Sequence, residues 1–173
     1  MKMGAFCSSG PIIPEGSGKV KVIFLDFDGV LNNRERWKDH QQVDPRCSTA
    51  MLDPLGVWRL KQIVSSTGAK IVVTSTWRNI YPLEQLSGFL WKYGIERGTI
   101  IGKTPKIGRR GHEISHWLKK HPVDNYIILD DDQDAGSGKV DRDRFIKTDW
   151  EYGIQSTHVI TAVNTLGRKI EVH

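Results

Sequence analysis

Residues able to do chemistry gather at three points in the sequence. Asp26 and Asp28 stand two apart after the apolar run Val22–Leu25, and Gly29 follows them. Thr74 and Ser75 close a second apolar run that begins at Ile71. Asp130, Asp131 and Asp132 close a third, which ends at Leu129. In a strand, positions i and i+2 point the same way, so Asp26 and Asp28 are expected side by side. Like charges this close repel, and one takes up a proton unless a cation lies between them. If the runs are neighbouring parallel strands, their carboxyl ends share one edge and four carboxylates meet there. That edge calls for a cation. Oxygen-only ligands favour Mg²⁺, which keeps waters and accepts a substrate phosphate oxygen. The hydroxyls and backbone N–H groups of Thr74 and Ser75 suit a phosphate. A basic side chain between the second and third runs would balance the remaining charge, and Lys103, Lys106, Arg109 and Arg110 are all available.

Positioning these groups requires strands that end where the apolar runs end. Continuous apolar runs rich in Val and Ile suit strands buried on both faces. We expect strands at about 20–26, 70–74, 99–101, 125–129 and 144–148. Between them the spacing predicts helices. Asp53 is a candidate N-cap with Pro54 at the first helical position, and Gly68 suits the stop. Further helices are expected at about 82–93, at 111–120 with Ile114, Trp117 and Leu118 on one face, and from Ser156 or Thr157 to about Leu166. Strands alternating with helices imply a parallel sheet with helices on both faces. The polar segment 32–52 is expected to be an ordered loop or flap, too short for a core of its own. Residues 1–18, rich in Gly, Ser and Pro, read as a flexible tail, and 19–173 as a single domain.

The composition agrees with such a domain. The chain has 173 residues, of which 38% are hydrophobic and 26% charged. No stretch approaches the roughly 20 apolar residues of a membrane span, and the start has no continuous apolar segment of a secretory signal. Cys7 and Cys47 form neither a close-spaced metal pair nor a disulfide framework, so a cytoplasmic setting is expected. A net charge of +5 is compatible with an anionic substrate.

Taken in order, the motifs resemble the haloacid dehalogenase (HAD) superfamily. Val22–Val30 matches its first motif, an apolar run followed by Asp-x-Asp-Gly. Ile71–Thr74 matches the second and Ile127–Asp131 the fourth, while the third is a lone Lys or Arg. Finer features resemble the HAD branch associated with RNA-repair (Swiss Army Knife) proteins. These are the first motif's extension to Asn32, the segment Ser75–Arg78, the Arg110–Leu118 helix and Ile128–Asp131. The resemblance implies a three-layer, Rossmann-like α/β fold of about five parallel strands with a minimal cap. It implies a Mg²⁺-dependent phosphomonoesterase with Asp26 as nucleophile, Asp28 as general acid/base, and Thr74 and Arg110 holding the transferring group. Metal ligands would be Asp26, the main-chain carbonyl of Asp28, Asp130 and, as a further contact, Asp131. Ser75, Arg78, Asn32, Lys106 and Arg109 would surround the substrate. A 3′- or 2′-phosphate at a nucleic-acid end is the favoured substrate, with a soluble nucleotide close behind. Arg78 could meet a second phosphate, with Trp37 or Trp77 stacking on a base. Oligomeric state stays open.

Other readings compete. The open site also permits action on a phosphorylated protein segment, and a non-catalytic module could use the same edge to hold a nucleotide or partner. His112 to His116 fits H-E-x-x-H, a zinc pattern on a helix, but a third ligand would have to come from His121, His158 or His173 without a downstream motif. The buried face of that helix explains the segment better. Asp130, Asp132 and Asp134 resemble a calcium loop, yet Ala135 and Asp141 stand where Gly and Glu are needed, so Asp132 and Asp134 read as a polar loop.

Overall fold

A computed structural model describes residues 20–43 and 52–167, with the main chain alone at 40–43. The expected tail at 1–18, the 44–51 portion of the flap, and Cys7, Cys47 and His173 lie outside the described residues. Five strands form one all-parallel sheet: β1 (Val20–Leu25), β2 (Lys70–Val73), β3 (Ile100–Lys103), β4 (Val123–Asp130) and β5 (Phe145–Lys147). Their order is β3-β2-β1-β4-β5, which puts β1 at the centre.

Alternation along the strands builds two cores. Ile23, Leu25, Ile71, Val73, Ile127 and Leu129 face one way. They meet the apolar stripes of α2 (Pro54–Thr67), α3 (Leu83–Trp91) and α5 (Ser156–Leu166), including Leu60, Ile63, Leu86 and Ala162. Val22, Phe24, Val72 and Ile128 face the other way, onto Ile114 and Trp117 of α4 (Arg110–Lys120). Phe24 meets the rings of Trp117 and Tyr126 edge-on at 5.4 and 5.8 Å. The fold is therefore the expected three-layer, Rossmann-like α/β arrangement. At α2 the local chemistry is as the sequence suggests: Asp53 accepts from Leu55 N at 3.1 Å, and Gly68 closes the helix at φ 70°.

One expectation is corrected. The segment read as a loop or flap begins with a helix, α1 (Arg34–Val43). Asn33 starts it by accepting from Arg36 N at 3.0 Å, as an N-cap does. The helix carries no apolar stripe, so periodicity gives no sign of it. Its N-terminal end is tied instead: Arg34 N donates to Trp150 O at 2.9 Å, and the Arg34 side chain pairs with Glu151 at 3.0 Å. No described helix is long and apolar enough to cross a membrane.

Candidate active site

The register fixes where the edge lies. Leu25 pairs with Val73 on one side and Leu129 on the other. The ladder then runs one residue further: Asp26 N donates to Leu129 O at 3.0 Å and Thr74 N to Leu25 O at 2.9 Å. Asp26, Thr74 and Asp130 thus end their strands side by side. At Gly29 the chain turns in the left-handed region, φ 74°. A side chain there would also collide with Asp131, because a Cβ would fall 2.3 Å from its Cγ. Glycine is needed on both counts.

Three of the four expected carboxylates converge, and Asp28, expected beside Asp26, is not among them. Oxygens of Asp26, Asp130 and Asp131 lie within 4.8 Å of one another, the one such group among the described residues. Arg110 Nη1 sits against two of them, 2.6 Å from Asp26 Oδ2 and 2.7 Å from Asp130 Oδ2. Of the four candidate cations, this is the one in the site. Lys103 donates to the carbonyls of Arg78 and Tyr81, at 2.9 and 3.3 Å. Arg109 is exposed and pairs loosely with Asp134 at 3.9 Å, and Lys106 is exposed in a side cleft that Arg110 also lines.

Helix α4 delivers Arg110, and both ends of the residue are held. Its N–H donates to Asp134 Oδ2 at 3.0 Å while its guanidinium reaches the carboxylates. Gly111 lets the first turn approach the loop that follows β4, since a Cβ there would lie 2.2 Å from Ser137 O. Asp132 and Asp134 are the polar loop expected: Asp132 accepts from Asp134 N at 2.9 Å, and Asp134 caps α4.

Asp28 has a different environment. Its carboxylate accepts from Trp77 Nε1 at 3.2 and 3.1 Å and from Asn32 Nδ2 at 2.7 Å. Asn32 is itself fixed by Gly29 N, which donates to its Oδ1 at 3.0 Å. The carboxylate stands outside the three-Asp group. Asn32, expected around the substrate, is spent on Asp28 and is 1% exposed.

Three further placements differ from expectation. Thr74 is fully buried, its N–H is committed to the ladder, and its Oγ1 has no partner among the described residues. The hydroxyl that helps lower the pKa of Asp26 is that of Ser75, and Thr76 lines the cleft. Arg78 is not poised for a second phosphate. Its guanidinium donates to the carbonyls of Thr74, Ser75 and Thr104 and pairs with Glu113 Oε2 at 2.6 Å. Trp77 is 5% exposed, packed against Phe27, Tyr81 and Phe89, so its faces are not open to a base. Glu113 also accepts from Ile107 N and Gly108 N, which occupies the glutamate a zinc protease would need as base. Sequence reasoning missed Thr76, the Trp77 grip on Asp28, and Lys147. The only signal for Lys147 was its place at the end of the fifth strand, opposite Asp130.

An open cleft of about 520 Å³ holds the centre, lined by Asp26, Asp28, Thr76, Arg110, Asp131 and Lys147. Its electrostatics are those of excess negative charge. Burial pushes Asp26 up, against the lowering effect of Arg110 and Ser75. Asp130 is pushed up to about 7 by burial and then by the charge of Asp26. Burial and Asp26 also raise Asp131. Burial alone would weaken Arg110, but the two carboxylates more than offset that and keep it charged. A single guanidinium does not balance three carboxylates.

Over residues 22–159 the chain matches the family described as the HAD domain in Swiss Army Knife RNA repair proteins. The chain belongs to this family. No curated protein and no solved structure gave a match. HAD domains are generally hydrolases, phosphatases among them, and typically use a divalent metal. The residues of this HAD domain fit one. The donor set is all carboxylate oxygen, which suits a hard cation, and Asp130 is raised first by burial and then by the neighbouring charge of Asp26, with Arg110 acting against both.

Proposed function

We propose that this HAD domain is a Mg²⁺-dependent phosphomonoesterase acting through an aspartyl-phosphate on Asp26. Its substrate is a 3′- or 2′-phosphate at a nucleic-acid end, or a nucleotide. The observation that carries this is the division of labour in one cleft. Asp26, Asp130 and Asp131 meet within 4.8 Å beside Arg110, while Asp28 is held apart by Trp77 and Asn32. Mg²⁺ held by Asp26, the Asp28 carbonyl and Asp130, with Asp131 beside them, would neutralise nucleophile and phosphate so that the two anions can approach.

The chain's own groups account for the rest. A carboxylate oxygen of Asp26 bonds to phosphorus as the bond to the leaving oxygen breaks. Asp28 gives that oxygen its proton, so the alcohol leaves neutral. Asp28 then takes a proton from the attacking water, the Asp26–phosphorus bond breaks, and inorganic phosphate and both aspartates are restored. Arg110 and the Ser75 hydroxyl bracket Asp26, and Arg110 can face the charge on the transferring group.

The open cleft and the family's RNA-repair setting favour a nucleic-acid end over a small metabolite. A reducing cytoplasm is the setting we propose. The test is phosphate release from an aryl phosphate with Mg²⁺, followed by 3′-phosphorylated oligonucleotides against mononucleotides. Asp26→Asn is expected to abolish release. Full turnover by that variant would overturn the nucleophile assignment, and equal or better turnover of mononucleotides would count against the nucleic-acid end.

A further inference from the structure

A second cleft adjoins the first. It is about 470 Å³, and Asp28 and Thr76 belong to the walls of both. Its other walls are Trp37, Trp77, Ile80, Tyr81 and Trp150. Trp37, Ile80 and Trp150 come from three separate segments, and all are exposed, at 41%, 70% and 37%. Large apolar side chains that converge in the open mark a binding site more often than scattered ones do.

The two outer tryptophans differ from Trp77 and Trp91. Trp77 is locked by three ring neighbours and by Asp28, and Trp91 is covered by Arg97. Among the described residues, Trp37 and Trp150 have no ring contact and no side-chain hydrogen bond. Their π faces and indole N–H groups are available. They are also held in place, because Arg34 at the head of α1 bonds to the main chain of Trp150 and to Glu151. Asp28 is the one charged side chain in this cleft. Its walls suit a flat, uncharged, unsaturated ring.

Position supplies the function. Asp28 stands at the boundary, with the Asp26 centre on one side and the aromatic walls on the other. As general acid it must touch the leaving oxygen, so whatever that oxygen carries lies next to the aromatic cleft. We propose that this cleft receives the nucleobase of the leaving group, stacked on Trp37 and Trp150. This rests on the phosphomonoesterase reading and deepens it: specificity lies in the alcohol that leaves. A nucleobase can come from a mononucleotide or from the terminal residue of an oligonucleotide, and the cleft's chemistry is the same for both.

The experiment compares kcat/KM for adenosine 3′-monophosphate, a 3′-phosphorylated oligonucleotide and glycerol phosphate, which has no ring. Stacking on an aromatic side chain is sequence-tolerant and strong enough to read. Trp37→Ala and Trp150→Ala should each lower the ratio of nucleoside to glycerol phosphate by roughly 5- to 150-fold. Trp37→Leu should lose about as much as alanine, and Trp37→Phe should keep most of the ratio, which a purely structural role would not predict. Trp58→Ala, on the exposed face of α2, serves as the control. A fall on either base-bearing substrate supports the proposal, and the substrate that responds more names the source. An unchanged ratio overturns it. Quenching of tryptophan fluorescence by adenosine 3′-monophosphate in Asp26→Asn separates the two ideas. Quenching lost in Asp26→Asn/Trp37→Ala supports the base cleft even if no substrate turns over. Quenching that persists when Trp150→Ala is added to that variant overturns it even in an active phosphatase.

Discussion

Trp77→Phe should slow the enzyme selectively, on substrates whose leaving group needs a proton. The indole N–H is the group that reaches both oxygens of Asp28, at 3.2 and 3.1 Å, while Asn32 holds one of them at 2.7 Å. Phenylalanine keeps a ring against Phe27, Tyr81 and Phe89 but removes the donor. A hydrogen bond to a charged group is worth about 1.5–3 kcal/mol, and Asp28 is half-buried, so water recovers part of it. The lower figure applies. It corresponds to about a tenfold drop in the time Asp28 spends correctly aimed. Losing the acid altogether, as in Asp28→Asn, should cost about 10²–10⁴. The assay is kcat/KM for an alkyl phosphate against p-nitrophenyl phosphate, whose leaving group departs without protonation. We expect about a tenfold loss on the first and a much smaller one on the second. Equal losses on both would refute the idea that Trp77 aims a general acid. No loss on either would refute any role for the contact.

Arg78→Ala should destabilise the fold by about 3–5 kcal/mol in urea titration, because it leaves Glu113 charged and buried without its partner. Arg78→Met with Glu113→Leu should recover much of that, which a substrate-binding arginine would not show. Gly29→Ala should cost more than about 1 kcal/mol in thermal unfolding, since alanine resists φ 74° and its methyl would displace Asp131. Its Mg²⁺ requirement for activity should rise in parallel. His158 provides a pH test. Burial, then Arg59, hold its folded pKa below 6.5, and its Nδ1 accepts from Gln155 N at 2.9 Å as the cap of α5. The unfolded chain therefore binds the proton more readily. The cap's stabilisation is complete above pH 6.5 and fades as pH falls through the lower folded value. Urea stability from pH 8 to 5 should drop more steeply in wild type than in His158→Gln, and matching slopes would refute this.

The sheet and its acidic edge were legible because its three central strands end in unbroken apolar runs, Val22–Leu25, Ile71–Val73 and Ile127–Leu129, with the chemistry placed just after them. Runs of this kind have little alternative to a strand buried on both faces. What escaped was geometry beyond the run. The apolar stretch stops at Val73, but the hydrogen-bond ladder stops one residue later, and that residue consumes the Thr74 N–H. The groups facing the centre are then Ser75 and Thr76. Arg78 looked like a free cation because nothing local marks Glu113 as its partner, 35 positions away. Helix α1 was missed because contacts at its first residue, Arg34, rather than an apolar stripe, hold it. Asn33 and Glu35 in its first turn were the only local signs.

Asp26 and Asp28 pose a problem that their spacing alone does not solve. As i and i+2 of a strand they would share one environment and repel. The turn at Gly29 breaks that equivalence. It lets the main chain present an N–H to Asn32, and Asn32 in turn pulls Asp28 toward Trp77. Asp26 stays with Arg110 and Asp130. One carboxylate is therefore surrounded by charge and the other by neutral donors. Pairs of titratable groups whose surroundings differ in this way are how a site assigns one carboxyl to bonding and another to proton transfer. The same turn also brings Asp131 against Gly29, so one residue without a side chain both separates the pair and closes the acidic group. This predicts that damage at Gly29 and damage at Asn32 look different. The first should raise the Mg²⁺ requirement, whereas the second should slow proton-dependent leaving groups at an unchanged one.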